Sequence, residues 1–394
     1  MTPFLRTALP ILFLSLMLQG CGDYREISDL AIVDMVGVDM DADGNYLAYF
    51  QVANPNGIAS TKGGGSRSPI FTYEFKGKSW AEFTSKATQT VPRELFLSHF
   101  QAYIVSKRLA AKGLGDLLNF LESDPSRRMA TAVFITKDSV RDIMNTYVPL
   151  ETNIGKNLRN IQQLQVDFTG KEVGESKINT LLENFESSRL TFVSNIMLSS
   201  EKPITTTKRY ESIDGNRGNF TYTGVSIIKK GQFLGELKAK QVAPLYFMLG
   251  KSKTLYQHIQ LSSDEFADLQ MLSKPKMKRR FILIDGEPTL QLTIKPKIKL
   301  LNIHQNKRLD SQTLRRLEKM FDEEMTDQVT EVLNLAKKEK WDLLGIEERI
   351  SHTTGRGWTE LKKNPDSWMR TKVTLDIKSS IVKTGVLVTT YEGG

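Results

Sequence analysis

The chain has 394 residues, of which 40% are hydrophobic and 25% charged, a composition typical of folded domains rather than of disordered segments. Its single cysteine, Cys21, excludes an internal disulfide and any metal site built from several thiolates. The formal net charge of +9 favours anionic neighbours such as lipid head groups, although it does not by itself identify one.

The first twenty residues have the pattern of an export signal. Arg6 supplies a positive charge, and the apolar run "TALPILFLSLML" follows it. This run is shorter than the roughly 20 residues that a membrane-spanning helix needs, so residues 1–20 are predicted to be a lipoprotein signal peptide. The residues that resemble a bacterial lipobox are Leu18, Gln19, Gly20 and Cys21. We expect Cys21 to begin the mature protein and to carry S-diacylglycerol and an N-acyl group.

After Cys21, strand and helix patterns alternate to about residue 195. "LAIVDMVGVDM" and "NYLAYFQVAN" predict a β-hairpin. The turn begins like an EF-hand loop, but Phe50 stands where calcium requires a glutamate, so a hairpin is favoured over a calcium site. The glycine- and serine-rich residues Asn54–Pro69 predict an exposed loop. Three further strands and three helices follow, with Ser79 and Asp138 as expected N-caps.

The rest of the chain predicts two more domains. A β-rich middle domain over residues 196–288 contains a hairpin that turns at Lys229–Gly231. Its basic run Lys274–Arg280 is interpreted as a solvated turn, in preference to a lipid-facing surface, and it lacks the aromatic residues of a nucleic-acid site. In residues 289–394, apolar residues alternate along "PTLQLTIKPKIKLL", with Pro296 at an edge or bulge. A long amphipathic helix starts at Asp310.

These patterns predict an α+β fold of three mixed α/β domains with mostly antiparallel sheets. The first domain, residues 21–195, is anchored through Cys21, and the last has a long amphipathic helix packed on a sheet. The histidines do not form a metal-binding pair, and no nucleophile elbow is present. We therefore expect no enzyme, no catalytic residue, no metal and no cofactor. The four histidines are His99, His258, His304 and His352.

Several blocks of the sequence resemble one protein family. The first is "GCGDYREISDLAIVDMVGVDMDADGNYLAYFQVANP", and the others are "FTYTGVSIIKKGQFLGEL", "AKKEKWDLLGIEE" and "SWMRTKVTLDIKSSIVKTG". These blocks occur in order along almost the whole chain. They are similar to the C-subunit lipoproteins of spore germinant receptors, the Ger(x)C family, although Gly22 stands where that family commonly has an aromatic residue.

The resemblance implies a non-enzymatic receptor subunit on the outer face of the spore inner membrane, required for nutrient-triggered germination. Its implied partners are two polytopic membrane subunits and, through Cys21, membrane lipid, with no nucleic acid. Asp23, Arg25 and Glu26 are the candidate residues for contact with the membrane or a partner; a charged spacer is an equally good interpretation of them. The alternative function is a solute-binding lipoprotein of a transport system.

Overall fold

The computed structural model describes residues 26, 29–54, 68–98, 100–123, 129–187, 189–200, 202–305, 309–355 and 357–384. The strands are β1 Leu30–Met40, β2 Tyr46–Ala53, β3 Ile70–Gly77, β4 Glu94–Phe96, β5 Ala102–Ser106, β6 Ala132–Thr136, β7 Leu190–Leu198, β8 Phe220–Lys229, β9 Gln232–Lys238, β10 Leu255–Gln260, β11 Phe266–Met271, β12 Lys276–Ile284, β13 Glu287–Lys295, β14 Lys297–His304, β15 Lys372–Ile377 and β16 Ser380–Lys383. The α-helices are α1 Glu82–Thr90, α2 Lys107–Lys112, α3 Gly115–Glu122, α4 Val140–Met144, α5 Ile154–Phe168, α6 Ile178–Phe185, α7 Ala239–Met248, α8 Ser311–Lys338, α9 Ile346–His352 and α10 Trp358–Lys363.

A large mixed sheet forms the first half of the described chain. Its strands lie in the order β3-β2-β1-β5-β6-β7-β8-β9, and β4 pairs with the start of β1. The neighbours β1, β5, β6 and β7 are parallel, whereas the strands on either side of them are antiparallel. Every residue of β5 and β6 is buried because the two faces of the sheet pack against separate hydrophobic cores.

Two smaller sheets and the long helix α8 form the second half. One sheet has the order β10-β11-β14-β16 and the other β12-β13-β15. Helix α8 packs its buried residues into a core that β8, β9 and β14 share. Its N-cap is Asp310, whose carboxylate accepts a hydrogen bond from Thr313 N at 2.7 Å. The α+β fold and the long C-terminal helix packed on a sheet are thus confirmed.

The two predicted hairpins are confirmed. In the β1–β2 turn, the Asp41 carboxylate accepts hydrogen bonds from the backbone N–H groups of Asp43 and Asn45, and Gly44 adopts a positive φ of 82°. In the β8–β9 turn, Lys230 and Gly231 have φ values of 50° and 72°. Local turn chemistry fixed both connections, which explains why they could be recognised from sequence.

Both predicted N-caps are wrong by one or more residues. Helix α1 begins at Glu82 after Ala81, and the Ser79 backbone N–H instead donates to the Glu82 carboxylate at 3.1 Å. Helix α4 is capped by Ser139, whose hydroxyl accepts a hydrogen bond from Asp142 N. Asp138 accepts a hydrogen bond from Leu198 N at 2.7 Å, so it links α4 to β7 rather than capping the helix.

The interpretation of the basic run Lys274–Arg280 as a solvated turn is wrong. Most of the run lies on β12, an edge strand of the three-stranded sheet. Pro296 separates two strands that belong to different sheets, β13 and β14, so the alternating segment is one sequence pattern but two strands. The proposed domain boundaries, after residues 195 and 288, stay predictions and fall within β7 and β13.

Candidate functional site

The predicted lipid anchor precedes the first strand. Glu26 is exposed, and its carbonyl oxygen accepts a hydrogen bond from Asp29 N at 3.0 Å, just before β1 begins at Leu30. Its proposed contact with membrane or partner stays a prediction. The other predicted site residues lie outside the described residues: Leu18, Gln19, Gly20, Cys21, Asp23 and Arg25.

A groove with a cavity of about 770 Å³ lies at the sheet end that is nearest in sequence to the predicted anchor. Asp29 lies at this groove, eight residues after Cys21. The apolar residues Phe50, Val91 and Leu95 contribute to its wall. This end of the sheet therefore combines an apolar wall with polar residues.

The first block of the family resemblance brings helix α4 onto the sheet. A Cβ at Gly37 would lie 2.6 Å from Val140 Cγ1, so β1 needs a glycine for this close approach. Gln51 is fully buried, and its side-chain amide donates to the Met144 carbonyl oxygen at 2.6 Å. These two residues are therefore explained by the packing of α4 against β1 and β2.

Two other residues of this block connect the ends of β1 and β2 to neighbouring segments. The Asp39 carboxylate pairs with the Arg108 guanidinium at 2.7 Å, which ties the end of β1 to α2. The Asn54 side chain donates to the Ser68 carbonyl oxygen at 2.6 Å, and its backbone N–H donates to the Pro69 carbonyl oxygen at 2.7 Å. Asn54 thereby joins the two ends of the predicted glycine-rich loop, whose residues 55–67 lie outside the described chain.

Asp34 is a buried carboxylate in the same block. Its Oδ2 accepts a hydrogen bond from Gly155 N at 2.7 Å, which links β1 to the start of α5. Burial raises the pKa of Asp34 to about 6, and the Gly155 hydrogen bond and the nearby Lys156 charge only partly oppose this effect. The negative charge of Glu151 raises this pKa further. Asp34 is thus a structural link whose protonation is coupled to stability.

The second and third blocks of the resemblance meet at one junction. A Cβ at Gly235 in β9 would overlap Cζ2 of the buried Trp341, so the indole ring packs directly on the glycine backbone. Beside this contact, Lys229 Nζ pairs with the Glu347 carboxylate at 3.0 Å. The sequence blocks were recognisable, but nothing in their spacing indicated that they pack against each other.

Arg189 adds a third connection at this junction. Its guanidinium donates to both carboxylate oxygens of Glu348, at 2.7 and 2.8 Å. The geometry is bidentate, which gives this pair directionality as well as charge neutralisation. The large sheet and the segment around α9 are therefore held together by one aromatic packing contact and two ion pairs.

Metal-binding clusters and membrane-spanning helices were both sought among the described residues. Within them, no three or more His, Cys, Asp or Glu side chains are grouped to hold a metal ion. A search of the same residues finds no helix long and apolar enough to cross a bilayer. His258 is exposed and its Nδ1 lies 2.8 Å from the Asp268 carboxylate, whose hydrogen bond, together with its charge, raises the pKa of the imidazole. His99 lies outside the described residues.

Two family models match the chain in succession. The model described as "Spore germination protein N-terminal domain" matches residues 23–197. The model described as "Spore germination B3/ GerAC like, C-terminal" matches residues 223–385. The two matches together span both halves of the structure, including the junction at Gly235 and Trp341.

Known proteins with similar sequences carry related descriptions. "Spore germination protein KC" of Bacillus subtilis (strain 168) is 24% identical, and the match covers 94% of this chain and 93% of that protein. "Spore germination protein GerQC" of Bacillus cereus is 21% identical, with coverage of 95% and 98%. In fold, the chain is similar to the crystal structure of the GerBC protein, with a TM-score of 0.53 and 15% identity over 88% of this chain and 96% of that one. The similarity in fold thus extends over nearly the full length of both chains.

Proposed function

Since this chain belongs to the Ger(x)C family of spore germination proteins, we propose that it is a lipid-anchored, non-enzymatic subunit of a nutrient germinant receptor in the spore inner membrane. One observation carries the anchoring part of this proposal. The family match begins at residue 23, two residues after the only cysteine, and that cysteine completes the lipobox-like sequence "LQGC". Cleavage before Cys21 would leave the family domains intact and attached to lipid.

Lipid attachment gives the subunit a physical advantage in assembly. Two or more acyl chains hold a protein on a bilayer far more firmly than one chain does, since each buried methylene contributes about 0.8 kcal/mol. Restriction to the surface also raises the local concentration of the subunit near a membrane-embedded partner, so modest contacts are sufficient. The proposed partners are two polytopic subunits of the receptor.

The proposed contact region is the end of the large sheet at which β1 begins. It takes in Glu26, the residues Asp23 and Arg25 that precede it in the sequence, and the two ends of the loop between Asn54 and Pro69, which the Asn54 hydrogen bonds join. The groove beside Asp29 lies at this end of the sheet. Contacts here would allow a tethered subunit to meet a partner at the membrane surface without crossing the bilayer.

Lipidation of Cys21 is tested by expressing the full chain in a spore former and measuring the intact mass of the protein from the membrane fraction. The expected mass corresponds to cleavage before Cys21 and the addition of diacylglycerol and an N-acyl chain. A Cys21→Ser variant should lack the lipid mass and keep the mass of residues 1–20. Gly22→Ala, which keeps the cysteine and the three residues before it, serves as the matched control. An unlipidated parent, or a Cys21→Ser variant that still carries the lipid mass, would contradict the anchor.

A further inference from the structure

A cavity of about 620 Å³ lies beside the junction between the large sheet and α9, outside the contact region proposed above. Four arginine and lysine side chains line it together with His352, against two acidic side chains, Asp342 and Glu348. The basic residues are Arg189, Lys251, Arg279 and Arg349. Carboxylates of the described residues neutralise some of these positive charges and leave others without an ion-pair partner.

Two of the basic residues already have carboxylate partners. Arg189 holds Glu348 in the bidentate pair described above, and Lys251 pairs with Glu175. Asp342 is occupied by backbone groups, because its two carboxylate oxygens accept hydrogen bonds from the N–H groups of Ile346 and Glu347 at 2.8 and 2.7 Å. Asp342 is thus committed to backbone groups, and Glu348 is held mainly by Arg189, although its charge also attracts Arg349.

Arg279 and Arg349 form no ion pair with a carboxylate anywhere in the described residues. Arg279 donates only to the Leu249 carbonyl oxygen at 2.6 Å and to the Met277 sulfur at 3.1 Å. A guanidinium has five N–H donors, so most of this group remains available. Partial desolvation lowers the pKa of Arg279, and the positive charge of Arg349 lowers it further, which indicates that the two cations repel each other.

Strand geometry directs Arg279 toward the cavity. Alternate residues of a strand lie on the same face, so Arg279 shares its face with Met277 and Phe281, while Arg280 lies on the opposite face. Phe281 lines the cavity together with Arg279, whereas Arg280 does not. Leu249 and Leu344 extend the apolar part of the wall.

From this arrangement we propose that the junction cavity binds a small organic carboxylate with an apolar body. The carboxylate lies between Arg279 and Arg349, where planar guanidinium groups donate paired hydrogen bonds to it. The apolar body packs against Phe281 and Leu344. The proposal is independent of lipid anchoring and of the receptor function.

The test measures the binding of radiolabelled benzoate to the full chain in detergent by equilibrium dialysis. Benzoate concentrations extend to about 10 mM, because a ligand held mainly by one carboxylate is expected to bind weakly. Saturable binding of benzoate is expected, without binding of the neutral analogue benzamide. Arg279→Gln and Arg349→Gln should each weaken binding at least about tenfold. Inorganic phosphate should compete poorly, because it cannot use the apolar wall.

Arg280→Gln is the matched control, since it removes the same charge from the neighbouring residue on the opposite face of β12. It should leave benzoate binding unchanged. Circular dichroism and thermal midpoints establish that all three variants fold. The proposal is overturned if benzoate does not bind saturably, if Arg280→Gln weakens binding as much as Arg279→Gln, or if phosphate binds more tightly than benzoate.

Discussion

At the scale of single residues, close packing explains two glycines that belong to the family-like sequence blocks. Gly37 allows α4 to approach β1, and Gly235 allows Trp341 to lie on β9. In both places a methyl group would meet atoms at 2.6 Å or less. The sequence shows that glycine occurs at these positions, but only the packing explains why a side chain is excluded.

Gly235→Ala should destabilise the protein, because the new Cβ forces the indole ring of Trp341 out of its position in the core. Overpacking of this kind costs roughly 1–3 kcal/mol. The free energy of unfolding from urea titrations measures this cost. Gly215→Ala is the control, since nothing lies within 4 Å of a Cβ at that position. A Gly235→Ala variant as stable as Gly215→Ala would refute the close contact.

The buried carboxyl group of Asp34 leads to a prediction of how the stability of the protein depends on pH. Its pKa is higher in the folded protein, about 6, than its ordinary value of 3.8, so the folded state binds the proton more tightly. The contribution of Asp34 to stability therefore falls as pH rises from about 4 to about 6 and is constant above that range, a loss of about 3 kcal/mol.

Asp34→Asn keeps a side-chain oxygen that can accept the Gly155 hydrogen bond but removes the titration. The stability of this variant relative to the parent should increase by about 3 kcal/mol between pH 4 and pH 7, as measured by urea unfolding at each pH. A constant difference between Asp34→Asn and the parent would contradict the shifted pKa.

At the scale of elements, local sequence patterns predicted individual helices and hairpins well, but they did not predict which distant strands pair. The long helix α8 was recognisable because its buried residues recur at helical spacing, and the two hairpins because their turn residues are diagnostic. The parallel neighbours β5, β6 and β7 are distant in sequence, so nothing local specifies their order. Arg279 was assigned to a turn because a basic run gives no indication of which sheet edge it joins.

The junction supports a prediction about which contacts stabilise it. Arg189 is 61% exposed, and exposed ion pairs contribute about 1 kcal/mol or less, whereas removal of a buried tryptophan costs roughly 3–5 kcal/mol. A double-mutant cycle of Arg189→Ala and Glu348→Ala should therefore give a coupling energy of at most about 1 kcal/mol. Trp341→Ala should destabilise the protein several times more. A coupling energy as large as the effect of Trp341→Ala would contradict this ranking.

At the scale of the whole molecule, the sequence identified the fold class and the family because the similar blocks extend along nearly the entire chain. The division into domains stays a prediction; the large sheet continues to Lys238 and shares a core with α8. The predicted anchor at Cys21 depends on chemistry that a fold does not reveal. Membrane attachment is therefore tested by measurement on membrane fractions.

The central proposal is a lipid-anchored subunit that assembles with two polytopic membrane proteins. Affinity purification of the tagged full chain from detergent-solubilised spore membranes, followed by mass spectrometry, tests it most directly, with Cys21→Ala as the matched control. The parent is expected to recover two polytopic membrane proteins, and Cys21→Ala is expected to lose them. Recovery of a transporter ATPase, or of no membrane partner, would contradict the receptor-subunit assignment and favour solute capture.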